Sequence, residues 1–359
     1  MRIAFIQPQI PHYRVPFFHL LSKQENLSLK VYSSAGHLGK ITEITDRYEW
    51  MHILGKYKKL YFGVDWQEGL FSINFDKYDT FVIAGNPRNI PALIFTTIAR
   101  LKGKKVVWLG HYMSINSSKF LSAIRHFLYL IPKNICFYTK AEYEKANAEL
   151  AKYKLNLDYI SNGLDISEIK KYRENFSFDK RKYNILLIGR LTPRVKTSNI
   201  FHAVSKLKNK EVQLHIIGDG ESKHYLQNLA KKLNLEENIF FYGGLIEERE
   251  ISKIANKCSL FLSSDCVGLS LIHALSYGIP ALINDNRRTQ GPEADIMDLG
   301  QIGGFHNGSI ESLSKTIDAF FASGESLNNY SKNAIRVMNS NHNIDIMVER
   351  IISLLSDLK

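Results

Sequence analysis

Cysteine is scarce. The three in 359 residues, Cys136, Cys258 and Cys266, are scattered without metal-ligand spacing, which argues against a disulfide framework and for a reduced, cytoplasmic setting. No apolar run approaches the ~20 residues needed to cross a bilayer. The opening MRIAFIQPQIP reads as a buried strand running into a proline turn and not as a signal peptide. Internal repeats, low-complexity runs, zinc spacings and an aromatic RNP-like signature are all missing, which leaves no nucleic-acid module.

What is present suits two α/β domains. The hydrophobic fraction of 45% is that of a globular chain, and the length exceeds one ordinary core. The net charge of +12 is uneven: residues 1–165 hold 16 Lys and 6 Arg against 6 Asp and 7 Glu, leaving +9 there and +3 beyond. Such asymmetry fits an anionic membrane surface or an acidic acceptor.

Strand and helix patterns alternate as in a doubly wound sheet. In the first half strands are expected at Arg2–Gln7, Leu27–Ser33, Thr80–Ala84, Lys105–Leu109, Ile135–Tyr138 and Asp158–Ile160. Helices are expected at Val15–Ser22, Ile90–Leu101, Lys119–Ile131 and Lys140–Lys152, with an irregular stretch from Gly36 to Phe75 that includes the basic-aromatic KYKKLY. Residues 165–183 read as a linker or loose helix. Beyond it come strands at Asn184–Ile188, Val212–Ile217 and Ile239–Tyr242, and helices at Thr197–Leu207, Lys223–Leu233 and Glu248–Lys257. An amphipathic tail runs from Ile344 to Leu358, and its apolar stripe must be buried on the body.

The chain is organised around Ser259–Glu293. Leu260–Leu262 is a short buried strand, Ser263, Ser264 and Asp265 break it, and Gly268 opens a helix that stops at Gly278-Ile279-Pro280. A helix start carrying a glycine and a serine at the carboxyl end of a strand points free N–H groups at a crevice where phosphate can sit. Gly189-Arg190-Leu191 also follows a strand, with Lys196 six positions beyond Arg190. Arg as a planar fork and Lys as a point charge could together neutralise a diphosphate. Gly218-Asp219-Gly220 is a further strand-to-helix turn.

In this order, IGRL…K at Ile188–Lys196, IIGDGE at Ile216–Glu221, F-x-G at Phe241–Gly243 and GLSLIHALSYGIPALI at Gly268–Ile283 resemble the nucleotide-sugar half of family 4 glycosyltransferases. YRVPFF (13–18), GNPRN (85–89), WLGH (108–111), YTKAE (138–142) and SNGLD (161–165) extend the resemblance over nearly the whole chain. It implies the GT-B architecture, with two Rossmann-like lobes facing across a cleft and a final helix crossing back. The domains would be 1–165 for the acceptor, 166–340 for the nucleotide sugar, and the helix 341–359. It also implies retaining transfer of a sugar from a UDP- or GDP-sugar to a hydroxyl acceptor on a glycan or glycolipid.

Matched by position, the resemblance gives Arg190 and Lys196 to the diphosphate, with Gly189, Gly218 and Gly243 in the surrounding turns and backbone N–H groups at Gly268, Leu269 and Ser270. Lys196 lies one residue beyond the commonest family spacing, which keeps Arg194 as an alternative second cation. Where the family pattern has two glutamates eight positions apart, this chain has Asp265 and His273. Asp265 would meet donor-sugar hydroxyls and His273 the ribose. Glu293 is a further carboxylate for the nucleotide side. His111 matches the cleft histidine near donor sugar and acceptor, and Pro8–Arg14 replaces the family's first-loop glycine pair. No D-x-D occurs, which agrees with leaving-group stabilisation by cations and a helix end, without metal or cofactor. The basic first half, with Lys119–Lys133 as a cationic amphipathic helix, implies an acceptor at an anionic cytoplasmic leaflet. Two other functions are compatible with these residues, a non-catalytic nucleotide-sugar binder and a nucleotide-sugar epimerase on the same scaffold.

Overall fold

The computed structural model describes residues 1–35, 48–112 and 119–358. Two compact units divide it: Met1–Asn162 with Ile344–Lys359, and Gly163–Asn343.

The first unit runs β1 (Arg2–Ile6), α1 (Val15–Ser22), β2 (Ser28–Ala35), β3 (Met51–Lys59), β4 (Asp65–Gln67), β5 (Thr80–Ala84), α2 (Ile90–Leu101), β6 (Lys105–Gly110), α3 (Lys119–Leu128), β7 (Asn134–Phe137), α4 (Lys140–Leu150) and β8 (Asn156–Tyr159). Its strands lie in the order β4-β3-β2-β1-β5-β6-β7-β8, parallel except for β4 against β3. Alternation along β1 sends Ile3 and Phe5 into one core layer and Ala4 and Ile6 into the other, as a parallel sheet covered on both faces requires.

The second unit runs α5 (Ser167–Tyr172), α6 (Phe178–Arg181), β9 (Asn184–Ile188), α7 (Thr197–Ser205), β10 (Gln213–Ile217), α8 (Lys223–Lys232), β11 (Ile239–Gly243), α9 (Glu248–Ala255), β12 (Leu260–Leu262), α10 (Leu269–Ser276), β13 (Ala281–Asn284), β14 (Gly303–His306), α11 (Ile310–Ala322) and α12 (Gly324–Asn341). The parallel sheet is ordered β11-β10-β9-β12-β13-β14. Winding reverses between β9 and β12, so the loops after these two neighbours leave the same carboxyl edge at a topological switch point. The chain then supplies α13 (Ile344–Asp357), whose Met347, Ile351, Leu354 and Leu355 join Phe17, Phe18 and Leu21 in a first-unit core layer.

The irregular stretch expected between Gly36 and Phe75 is corrected over its described part. Residues 36–47 lie outside the described residues, but KYKKLY falls on and just beyond β3, which pairs with β2 and β4. Lys56, Lys58 and Lys59 are exposed while Tyr57 is buried. Lysines on the solvent side near a sheet edge blunt unwanted pairing and also erase the apolar alternation that marks a strand. The helix expected to reach Ile131 ends at Leu128. Its Phe127 is 68% exposed.

Thr139 caps α4 by accepting from the Glu142 N–H at 3.2 Å. Thr139→Ala should cost about 1 kcal/mol, measured as a fall in urea midpoint at constant slope.

Two buried histidines of the second unit are held neutral. His215 takes a hydrogen bond from the Tyr242 hydroxyl at Nδ1 and donates from Nε2 to Asn184 Oδ1, both at 2.8 Å. His306 accepts from the Gly308 N–H at Nδ1 and donates to the Ser263 carbonyl. Burial pushes both below the ordinary 6.5, His215 to about 4. The unfolded chain therefore binds more protons than the folded one in this window, and their stabilising contribution, complete above pH 6.5, is lost as pH falls towards 4. The wild-type urea midpoint should drop across this range, with a shallower drop in His215→Asn.

Candidate functional site

The site is assembled on the carboxyl edge of the second sheet. Backbone ladders carry the strands into their turns: Gly189 N–H reaches the Ile217 carbonyl at 3.0 Å, Gly218 N–H the Gly243 carbonyl at 2.7 Å, and Leu191 N–H the Asp219 carbonyl at 2.9 Å. Gly218 is packed so closely that a Cβ there would stand 1.9 Å from the Gly189 carbonyl oxygen. Arg190 is exposed at the head of this turn. Lys196 adopts a left-handed conformation at the N-cap of α7.

The loop after β12 is braced from four sides. Ser264 Oγ donates to the Val195 carbonyl at 2.5 Å, Asn284 Nδ2 to the Ser264 carbonyl at 3.1 Å, and His306 Nε2 to the Ser263 carbonyl at 2.8 Å. Gln290 completes the brace: its amide donates to the Asp265 and Asn284 carbonyls and its Oε1 accepts from Val267 N–H at 2.9 Å. Asp265, 6% exposed, faces Lys196 with Oδ2 3.7 Å from Nζ. The structure thus brings together two residues 69 positions apart in sequence.

The eight-residue helix α10 starts at Leu269 with Gly268 as its N-cap. Its geometry leaves the N–H groups of Gly268, Leu269 and Ser270 without intrahelical acceptors and concentrates partial positive charge there. A Cβ at Gly268 would meet only Glu293 Oε2, at 4.0 Å, so backbone can be approached closely at this point. Glu293 itself is buried at the start of a 3-10 segment, Pro292–Leu299. One turn into α10, His273 Nε2 lies 3.0 Å from Glu248 Oε1. The side chain of Arg194 lies outside the described residues. Among the described residues, no cluster of three or more His, Cys, Asp or Glu is placed to hold a metal ion.

His111 belongs to the first unit, just after β6. Its Nδ1 is 3.2 Å from Glu142 Oε1, an oxygen that also accepts from Tyr112 N–H, and its ring is tilted against Tyr138 at 4.7 Å. In the loop after β1, Arg14 lies over the Tyr13 and Tyr138 rings, donates to Asn162 Oδ1, and touches Met347 Sδ. Burial raises the Tyr138 hydroxyl above its ordinary range.

Three side chains with structural parts here were not among the sequence candidates: Glu142, Glu248 and Gln290. Glu142 sits in a Thr-x-x-Glu capping pattern and Gln290 in the Q-G-P-E segment, which are usable signals. Glu248 offers none, because its partners His273 and Tyr277 are 25 and 29 residues away. A separate cavity lined by Val204, Lys210, Leu233, Leu235 and Asn238 lies at the amino ends of β10 and β11, at the opposite edge of the sheet.

Part of the chain is 32% identical over 106 residues, 28% of its length and 29% of the relative's, to a lipopolysaccharide 1,6-galactosyltransferase of Salmonella typhimurium. A longer match, 20% identical and covering 70% of each chain, is to the amylovoran biosynthesis glycosyltransferase AmsD of Erwinia amylovora. The chain spans between 29 and 35% of the length of the first three curated relatives it matches. The crystal structure of Anabaena Alr3699/HepE in complex with UDP and glucose superposes with a TM-score of 0.66 over all of both chains at 17% identity. The chain therefore has the GT-B fold, and its residues 168–337, most of the second unit, match the family described as Glycosyl transferases group 1.

Proposed function

We propose that this protein is a retaining glycosyltransferase of family 4 that moves a sugar from a UDP- or GDP-sugar to a hydroxyl acceptor in surface-polysaccharide or lipid-linked glycan assembly. One observation carries the reading: at the switch point of the second unit, an open helix start and the Lys196–Asp265 pair stand on adjacent loops, with Arg190 on the loop that also carries Lys196. The names of the relatives, a lipopolysaccharide galactosyltransferase and an amylovoran biosynthesis glycosyltransferase, support the class of product. A GT-B neighbour in complex with UDP and glucose supports the donor.

In the proposed step, the bond from the anomeric carbon to the β-phosphate oxygen breaks while the acceptor oxygen attacks from the same face. The acceptor proton passes to the departing phosphate. Arg190, Lys196 and the N–H groups of α10 stabilise the charge that develops on the pyrophosphate, a type of contact that is stronger in the transition state than in the ground state. Asp265 accepts hydrogen bonds from donor-sugar hydroxyls, and Lys196 keeps its carboxylate oriented. His273 meets the ribose, and Glu293 lines the nucleotide side. His111, steadied by Glu142, serves the acceptor hydroxyl. These groups need no metal ion.

A panel of UDP- and GDP-sugars with glycolipid acceptor pools, assayed with and without EDTA, tests the proposal. Transfer with retained anomeric configuration and full activity in EDTA is expected. Donor binding with no transfer to any pool would identify a nucleotide-sugar-binding protein instead, and interconversion of free donors an epimerase. The basic first half, with exposed Phe127 on α3, further leads us to propose peripheral attachment to an anionic cytoplasmic leaflet. Flotation with anionic but not neutral vesicles is the expected result, and no flotation with either removes that claim.

A further inference from the structure

Glu248 is the first residue of α9, and its carboxylate is turned towards α10. Oε1 accepts from His273 Nε2 at 3.0 Å and from the Tyr277 hydroxyl. His273 lies on α10 and Tyr277 caps its carboxyl end four residues later, with ring centroids 5.8 Å apart. The His273 and Glu248 side chains are 15% and 19% exposed, so both are held without being sealed. Burial alone would push the Glu248 carboxyl up; the hydrogen bond and electrostatic attraction of His273, with the hydrogen bond from Tyr277, outweigh it and hold the group below the usual carboxylate range.

A carboxylate only accepts, so the proton at this contact belongs to His273 Nε2. In the neutral ring Nδ1 is then left as a lone pair. Among the described residues nothing is hydrogen-bonded to Nδ1, and it is not one of the buried unpartnered atoms. Leu269 and His273 are four residues apart and share a helix face, about one ~5.4 Å turn from each other. The hydroxyls of a ribose are only a few bonds from the phosphate on its 5′ carbon, so a nucleotide whose pyrophosphate rests on the α10 start brings them to this level.

We propose that Glu248 is a positioning residue for the nucleotide: by taking the Nε2 proton it orients His273 so that Nδ1 accepts a hydrogen bond from a ribose hydroxyl. The pair thereby performs through an imidazole what one carboxylate could do directly, and it selects ribonucleotides over their deoxy counterparts. This rests on the reading that the start of α10 holds the donor pyrophosphate.

Calorimetric titration of UDP, GDP and their 2′-deoxy and 3′-deoxy counterparts tests the inference. Wild type should bind a ribonucleotide about fivefold more tightly than one of its deoxy forms, the worth of a single hydrogen bond. Glu248→Ala should reduce that ratio to about one although His273 is still present, and His273→Ala should do the same. The double variant Glu248→Ala with His273→Glu should regain it, because a carboxylate then stands at the ribose itself. Tight binding by wild type with no preference between ribo and deoxy forms overturns the inference and leaves the donor site standing. A preference lost in His273→Ala but kept in Glu248→Ala overturns the role of Glu248. Long-range ¹H–¹⁵N spectra of the folded wild type, with His273 assigned by its loss in His273→Ala, give a readout independent of Glu248 variants: a neutral ring protonated at Nε2 alone is expected, and a ring protonated at Nδ1, neutral or doubly protonated, overturns the proposal. Failure of every ribonucleoside diphosphate to bind wild type overturns the donor reading and this inference together.

Discussion

Arg190→Ala should lower kcat by about 10²–10³ with little change in stability, the size expected for losing the charge contact proposed for it in the transition state. The side chain is exposed at the end of β9, so its loss opens no cavity. Its backbone is fixed independently, with Thr192 N–H on the Arg190 carbonyl at 3.1 Å and the neighbouring Leu191 N–H on Asp219. Arg190→Lys recovers only part of the rate, because an ammonium cannot bridge two phosphate oxygens as a planar fork does. Initial rates of sugar transfer, together with urea midpoints within about 0.5 kcal/mol of wild type, check both halves of the prediction. An unchanged kcat would remove Arg190 from the leaving-group site.

Gly218→Ala should cost about 3 kcal/mol of stability and weaken the proposed donor binding. The added Cβ would fall 1.9 Å from the Gly189 carbonyl oxygen, with backbone on that side and no flexible side chain to yield. Overpacking usually costs about 1–3 kcal/mol, and a clash with main chain belongs at the upper end. Gly189 and Gly218 end neighbouring strands and hand on to the turns holding Arg190 and Asp219. Their separation would therefore shift the proposed phosphate-binding turn as well as loosen the sheet. Equilibrium denaturation reads the first effect, and UDP and GDP titration the second. A stable variant with wild-type affinity would show that the two turns can part without consequence.

Most strands were legible because a buried parallel strand is a short apolar run bounded by turn residues, as in Asn184–Ile188 and Leu260–Leu262. Helices such as Val15–Ser22 and Ile90–Leu101 were legible from apolar periodicity and punctuation, Pro near the start of each. β3 was not, because its solvent side is lysine where an alternating strand would show short polar residues. No element is expected from the sequence between Pro292 and Asn341, where β14, α11 and α12 lie. At the site, Arg190, Lys196 and the start of α10 stood out because each follows a strand, where α/β folds gather ligands, whereas Asp265 and His273 stood out through the positions they take in the family resemblance. The supports were harder to find. Gln290 reaches partners 23 and 25 residues away and Glu248 partners 25 and 29 residues away, through contacts that only the folded sheet creates. Spacing reveals residues that share one turn or one strand end, and it is silent on side chains that meet from different elements.

The first unit depends on α13 for one wall of a core layer, yet the whole of Gly163–Asn343 separates that helix from the other residues it covers. During synthesis, Phe17, Phe18 and Leu21 must therefore wait with an oily side uncovered while some 180 further residues leave the ribosome, about 10–35 seconds at ordinary elongation rates. The second unit has no such debt to later sequence and can mature first. A chain cut before Ile344 would keep that interval open permanently and become a natural client for chaperones.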